Sequence, residues 1–211
     1  MRREALVLGA AMLLCAGCSS AGRVSADSPT SPAVTVAATT LPAVTTTSGT
    51  GINPDVIPSV ITIPYVNAVF KVLEHLDGDV LRDLVASDRV TATSISYLRA
   101  IYNDPLYQQE VTIAHQTVSS LTANVRNPPG DIVLRVVKLW STSSSCIFAS
   151  TTSDYSAVLI KSGPSPASSY FGLDLKPRSA NDRRLNPTPW AIFFNAVFMI
   201  PTTIPNQCAN H

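Results

Sequence analysis

The chain is poor in charge. Only 14% of its 211 residues are Asp, Glu, Lys or Arg, and the two signs nearly cancel, at a formal net charge of +1. Without an excess of basic residues there is no field to gather phosphates, which excludes a nucleic-acid reader that depends on counterion release. Histidine is scarce, at 3 residues, and cysteine numbers 4. No Gly-rich phosphate loop, His/Cys cluster at metal-ligand spacing or nucleophile elbow occurs, so no metal, cofactor or catalytic residue is assigned. Long hydrophobic runs are missing too. The N-terminal run Ala5 to Leu14 covers ten residues, and a spanning helix needs about 20. The late run Trp190 to Ile200 contains Asn195, ends at Pro201 and is rich in aromatic and β-branched residues, which suits a strand.

The N-terminus instead has the layout of an export signal. Arg2 and Arg3 form a basic start, the apolar run follows, and small residues precede Cys18. The sequence Leu14-Cys15-Ala16-Gly17-Cys18 resembles the lipobox of bacterial lipoproteins. The resemblance implies that residues 1–17 are a signal peptide and that Cys18 is acylated as the first mature residue. Each buried methylene contributes about 0.8 kcal/mol, so two or three acyl chains give stable membrane anchoring. Removing residues 1–17 leaves 13 basic and 13 acidic side chains. Acyl chains rather than charge would then hold the protein at the outer leaflet of the cell membrane.

Residues 18–58 read as a tether. From Ser19 to Pro58, Ser, Thr, Ala and Pro make up 25 of 40 residues, with only Arg23, Asp27 and Asp55 charged. Such a stretch buries too little apolar surface to offset its ordering entropy. As a random coil it would span about 35 Å, enough for the folded part to stand off the membrane. Thr45-Thr46-Thr47 is the type of sequence that carries O-linked sugars.

Residues 59–211 are expected to fold as one α+β domain. Thr62 and Pro64 mark a helix start, and Val66, Val69, Phe70, Leu73 and Leu76 form its apolar stripe. Asp77-Gly78-Asp79 predicts a break or bend, after which Val80, Leu81, Leu84 and Val85 resume. A second helix is expected over Ser94 to Tyr102. A third follows Asp104-Pro105, with Tyr107, Val111, Ala114, Val118 and Leu121 inward, and Asn127-Pro128-Pro129-Gly130 stops it. The period then changes to two. Ile132, Leu134, Val136 and Trp140 share one side of a strand, and a hairpin is expected about Ser153-Asp154 between Cys146–Thr151 and Tyr155–Ile160. Tyr170 to Leu175 and Trp190 to Ile200 flank a polar loop from Ser179 to Pro189. The expectation is three helices packed on a curved antiparallel sheet of four or five strands.

Two cysteines remain in the domain, Cys146 and Cys208. In an exported chain an even pair most simply forms a disulfide. It would pin the tail to the sheet and contribute about 4 kcal/mol in the chain-entropy model. A metal site or catalytic thiol is the alternative, disfavoured because no His lies near either Cys in sequence.

The element order over 61–200, carried by stretches such as Tyr65-Val66-Asn67-Ala68-Val69 and Leu98-Arg99-Ala100-Ile101-Tyr102-Asn103, resembles the nuclear-transport-factor-2-like cone fold. The whole layout is similar to small lipoproteins of the actinobacterial cell envelope. That fold hosts isomerases, dehydratases and noncatalytic binding modules, so it does not by itself select a function.

The noncatalytic reading places an interaction surface around Trp190, Phe194 and Phe198, because a strand apolar at nearly every position is covered on both faces. The cover would be a tail, a second copy in a homodimer, or an envelope protein or lipid partner. Arg183 and Arg184 on the neighbouring loop could hold an anionic group. The alternative is a small cone-fold enzyme acting on a hydrophobic ligand, with His115 and Tyr102 or Tyr107 as its acid-base groups. His75, at the end of an apolar stripe, reads as a cap or a solvent-facing residue. His211 ends the chain.

Overall fold

The computed structural model describes residues 51–161, 168–175, 179–196 and 205–210. The signal peptide, Cys18, most of the tether, Phe198 and His211 lie outside the described residues.

Helix α1 (Ile63–Ser87) is 25 residues long and starts as its sequence predicts, with Thr62 as N-cap accepting from the Tyr65 amide and Pro64 in the first turn. Asp88 closes it in the left-handed conformation at φ 51°. The expected break at Gly78 is absent; the helix runs straight through it. Asp131 explains why glycine is there. A Cβ at position 78 would meet Asp131 Oδ1 at 2.2 Å. This carboxylate takes hydrogen bonds from Arg82 at 2.8 Å and pairs with His75 Nδ1 at 2.9 Å. Gly78 is therefore a close-approach residue between helix and sheet, not a helix breaker.

Helix α2 (Ala92–Ile101) opens on a capping box between Thr91 and Ser94, two residues before the expected start. Helix α3 (Leu106–Asn124) has Pro105 as its N-cap and no side-chain cap bond, so Asp104 does not cap it. Its buried residues are Leu106, Tyr107, Glu110, Ala114, Thr117 and Leu121. Val111 and Val118, expected inward, are only half-buried, because the stripe passes through the polar residue preceding each of them.

The sheet is antiparallel, in the order β1-β2-β3-β4: β1 (Val133–Thr142), β2 (Cys146–Asp154), β3 (Ser168–Leu175) and β4 (Trp190–Ala196). The first hairpin turns at 143–145, where Ser143 Oγ accepts from the amides of Ser145 and Cys146. No hairpin forms about Ser153-Asp154. There, Asp154 accepts from the Ser156 amide and turns the chain. Residues 155–160 dock on the end of α3 through Arg126 N to Val158 O (2.8 Å) and Ile160 N to Asn124 O (3.0 Å). The loop before β4 holds a further short helix, α4 (Ala180–Leu185), capped reciprocally by Ser179 and Asp182.

Two register shifts in β1, between Val136 and Lys138 and between Leu139 and Ser141, decide which residues face the core. Ile132 and Val136 are buried as expected. The extra residue at Val137 then moves Leu139 inward, and Trp140 is 48% exposed rather than aligned with the core positions.

Each sheet edge is met in part by a helix or its flanking residues. The amides of Leu134 and Val136 on β1 donate to side chains of α1, Glu74 Oε1 at 2.7 Å and Asn67 Oδ1 at 2.9 Å. On β4, Asn103 N donates to Ile192 O at 2.9 Å, and Tyr102 bridges Ile192 in parallel. Among the described residues no helix is long and apolar enough to cross a membrane.

Gly78→Ala is expected to lower unfolding free energy by about 1–2 kcal/mol in urea denaturation, although helix propensity alone would raise it by about 1 kcal/mol. Unchanged or higher stability would show that Asp131 relocates without cost.

Candidate functional site

The inner face of the sheet and the inward faces of α1 and α3 enclose the main core. Trp190 lies at its centre, 0% exposed, and its Nε1 donates to Tyr65 Oη at 2.8 Å. This corrects the expectation that Trp190 belongs to a contact surface. Trp190 pairs with Leu175, Ile192 with Leu173, and both face the helices. A shift between Gly172 and Leu173 then places Phe193 against Gly172, where a Cβ would meet the Phe193 ring at 2.7 Å.

Phe194 belongs to a second, smaller cluster with Phe148, Tyr170 and Ala196, on which Cys208 packs. Phe148 has ring centroids 6.2 Å from Tyr170 and 6.1 Å from Phe194, and Tyr170 in turn lies 6.4 Å from Trp140. These distances form an aromatic row across all four strands. Lys138 Nζ sits 3.5 Å from the Trp140 ring centre, a cation–π contact. Cys146 on β2 and Cys208 in a 3-10 turn (Gln207–Asn210) form the expected disulfide, with Cα atoms 5.7 Å apart. Arg183 and Arg184 are exposed on α4, where Arg184 Nη2 donates to Asn181 Oδ1 at 2.7 Å.

The acid-base residues of the enzyme alternative are not brought together. His115 is exposed and lines an open groove of about 590 Å³ with Ile95, Arg99 and Asp182. Tyr107 is buried beneath the Arg99 guanidinium, which lies 5.3 Å from its ring centre. Tyr102 alone faces the interior, lining a cavity of about 30 Å³ with Glu74, Asp77, Phe70, Leu134 and Ile192. Such a volume holds roughly two water molecules.

That cavity brings forward residues the sequence reading passed over. Glu74 is 8% exposed, Glu110 is 3% exposed, and Asp77 accepts a long hydrogen bond of 3.4 Å from Tyr102 Oη. Burial lifts Glu74 to about 7; the Leu134 amide opposes this, and the charges of Asp131 and Asp77 add to it. Burial likewise lifts Asp77 to about 6, against the Tyr102 hydrogen bond. Burial and the charge of Asp77 push Glu110 well above the usual carboxylate range, and burial does the same to the Tyr102 phenol. Asp131 behaves oppositely. Partial burial disfavours its charge, but the bonds from His75 and Arg82 outweigh this and hold it below the ordinary value. The signal for Asp77 and Glu110 was their place on the stripes, seven residues after Phe70 and three after Tyr107. Among the described residues no group of His, Cys, Asp and Glu is arranged to hold a metal ion.

No protein-family model matches the chain, and no curated protein matches it. Among solved structures it is similar to a TrwG component of a type IV secretion system protein from Bartonella birtlesii. Identity is 14% and the TM-score 0.29, with 68% of this chain and 92% of that one covered. The soluble domain of TrwG type IV secretion machinery from Bartonella grahamii gives 17% identity and a TM-score of 0.27, covering 67% and 94%. Likenesses at this level carry no argument about function.

A carboxyl raised on folding stabilises the fold below its unfolded pKa, and that stability disappears as pH rises through the folded value. For Glu74, raised from 4.5 to about 7, this amounts to about 3 kcal/mol. Unfolding free energy should therefore fall between pH 4 and pH 8 (about the window between unfolded and folded values), and Glu74→Gln should flatten the profile while keeping an acceptor for Leu134. Parallel profiles for the two proteins would refute the assignment.

Proposed function

We propose that this is an exported, lipid-anchored envelope protein whose domain is a noncatalytic binding or accessory module of the nuclear-transport-factor-2-like type. The observation that carries the noncatalytic reading is that the interior is filled by side chains, its cavity holding only about 30 Å³, while the larger groove of about 590 Å³ beside His115 is an open surface feature. Anchoring is supported by the Ala16-Gly17-Cys18 sequence at the end of the apolar run. The order of three helices followed by four antiparallel strands agrees with a cone fold.

An envelope protein is the partner this reading selects. Its contact is the outer sheet face, where Trp140 is half exposed beside Lys138 and the exposed Val137. Tryptophan next to a cation is a common energetic anchor of protein interfaces. The enzyme reading is favoured by one observation, the Asp77–Tyr102 hydrogen bond in an apolar cavity, and would rest on that pair rather than on His115.

Mass spectrometry of the mature N-terminus should find an acylated Cys18, and Cys18→Ser should release the protein from membranes. A photo-crosslinker in place of Trp140 should capture a protein in intact cells, whereas one in place of His115 should not. A free N-terminal amine at another residue contradicts anchoring, and equal capture from both positions contradicts the contact face.

A further inference from the structure

We propose that Glu74, Asp77 and Glu110 form a proton-operated latch that holds α3 against α1 and the sheet, closing the domain in acid and loosening it along α3 as the pH rises. The inference is independent of anchoring and of the partner.

Glu74 on α1 and Glu110 on α3 are buried, and Asp77, half-buried on α1, lines the interior cavity beside Glu74. Around Glu110 stand Asp77 from α1, Tyr102 at the end of α2 and Asn195 from β4. Tyr155, in the turn after β2, faces Tyr102 and Asp77. Asp131 and Arg135, from the start of the sheet, act on Glu74 from its other side. Among the described residues each carboxyl has a single hydrogen bond, from the Leu134 amide, Tyr102 Oη and Asn195 Nδ2, the last at 3.5 Å, and none forms a salt bridge. Protonated, they are neutral groups in an apolar interior. Ionised, they are like charges; Arg135 offsets part of this at Glu74, but no cation acts on Asp77 or Glu110 among the described residues, and burying such charges is strongly unfavourable.

Two further observations locate the yielding element. Among the described residues the hydroxyl of Thr151, 0% exposed, is buried without a hydrogen-bond partner, and that of Tyr155, 9% exposed, has only a loose contact with Ser153, so the closed interior is already short of polar pairing. Helix α3 is also the long helix with the less apolar seam. Two of its six buried positions are polar, Glu110 and Thr117, and one is Ala114, leaving three large apolar side chains, whereas α1 buries nine from Tyr65 to Leu84. No side-chain cap secures its first turn. Repulsion between Glu110 and Asp77 therefore acts where least apolar burial resists it.

Hydrogen exchange of the full exported protein, corrected for intrinsic rates, tests the latch. Between pH 5 and pH 8, protection of α3 amides should fall by about tenfold or more, while α1 amides around Val69 change by less than about threefold. Glu110→Gln should abolish the fall in α3. Should that variant not fold, Asp77→Asn, which removes the facing charge, should shrink it. Constant α3 protection in the unmodified protein, an undiminished fall in either variant, or equal loss from both helices would overturn the latch.

Discussion

The open edge of β1 is the constraint around which the domain is built. Its outward amides at Leu134 and Val136 need acceptors, and α1 supplies them from Glu74 and Asn67. These two residues lie seven apart, two turns of one helix, so they reach two amides that are themselves two residues apart along the strand. The same seam draws Asp131 against the helix at Gly78, where Arg82 joins it to Asp79 and to the carbonyl of His75. A larger residue at 78 would displace the Asp131 carboxylate and the Arg82 guanidinium from this seam. Sealing the edge also carries a carboxyl into the core, and the raised ionisation of Glu74 follows from that placement.

The other sheet face is organised differently. A short tail, joined through Cys208 to Cys146, packs beside Phe148, Tyr170 and Ala196 and extends burial past what the helices provide. The aromatic row emerges into solvent at Trp140. The domain thus has a closed inner side, whose polar groups respond to protons, and an outer side whose aromatic edge is open to contact. This division leads the proposed function away from the cavity and toward the sheet surface.

Much of this order could be read from local chemistry. The Thr62/Pro64 start, the apolar stripe of α1, the helix stop at Asn127-Pro128-Pro129-Gly130, the strands β3 and β4 and the cysteine pair all express rules that operate within a few residues or through simple pairing. Where sequence and structure part, the cause is in places remote and in places local. Gly78 resembled a helix breaker because the residue that requires it, Asp131, is remote in sequence. In α3 the apolar residues Val111 and Val118 mark one stripe, but the three-and-four spacing from Tyr107 runs through Glu110, Ala114, Thr117 and Leu121. Simple alternation cannot reveal the bulge at Val137, and so Trp140 was assigned to the wrong side. Helix α4 did carry a legible cap, Ser179 with Asp182, inside what looked like a loop.

The most direct test concerns the carboxyls that this seam forces inward. In a carbon-13 NMR titration of the folded protein, Glu74 and Asp77 should change protonation with apparent midpoints near 7 and 6. If both instead titrate close to 4 (about the value of an exposed carboxyl), the groups are solvated and the account of a closed inner face is wrong.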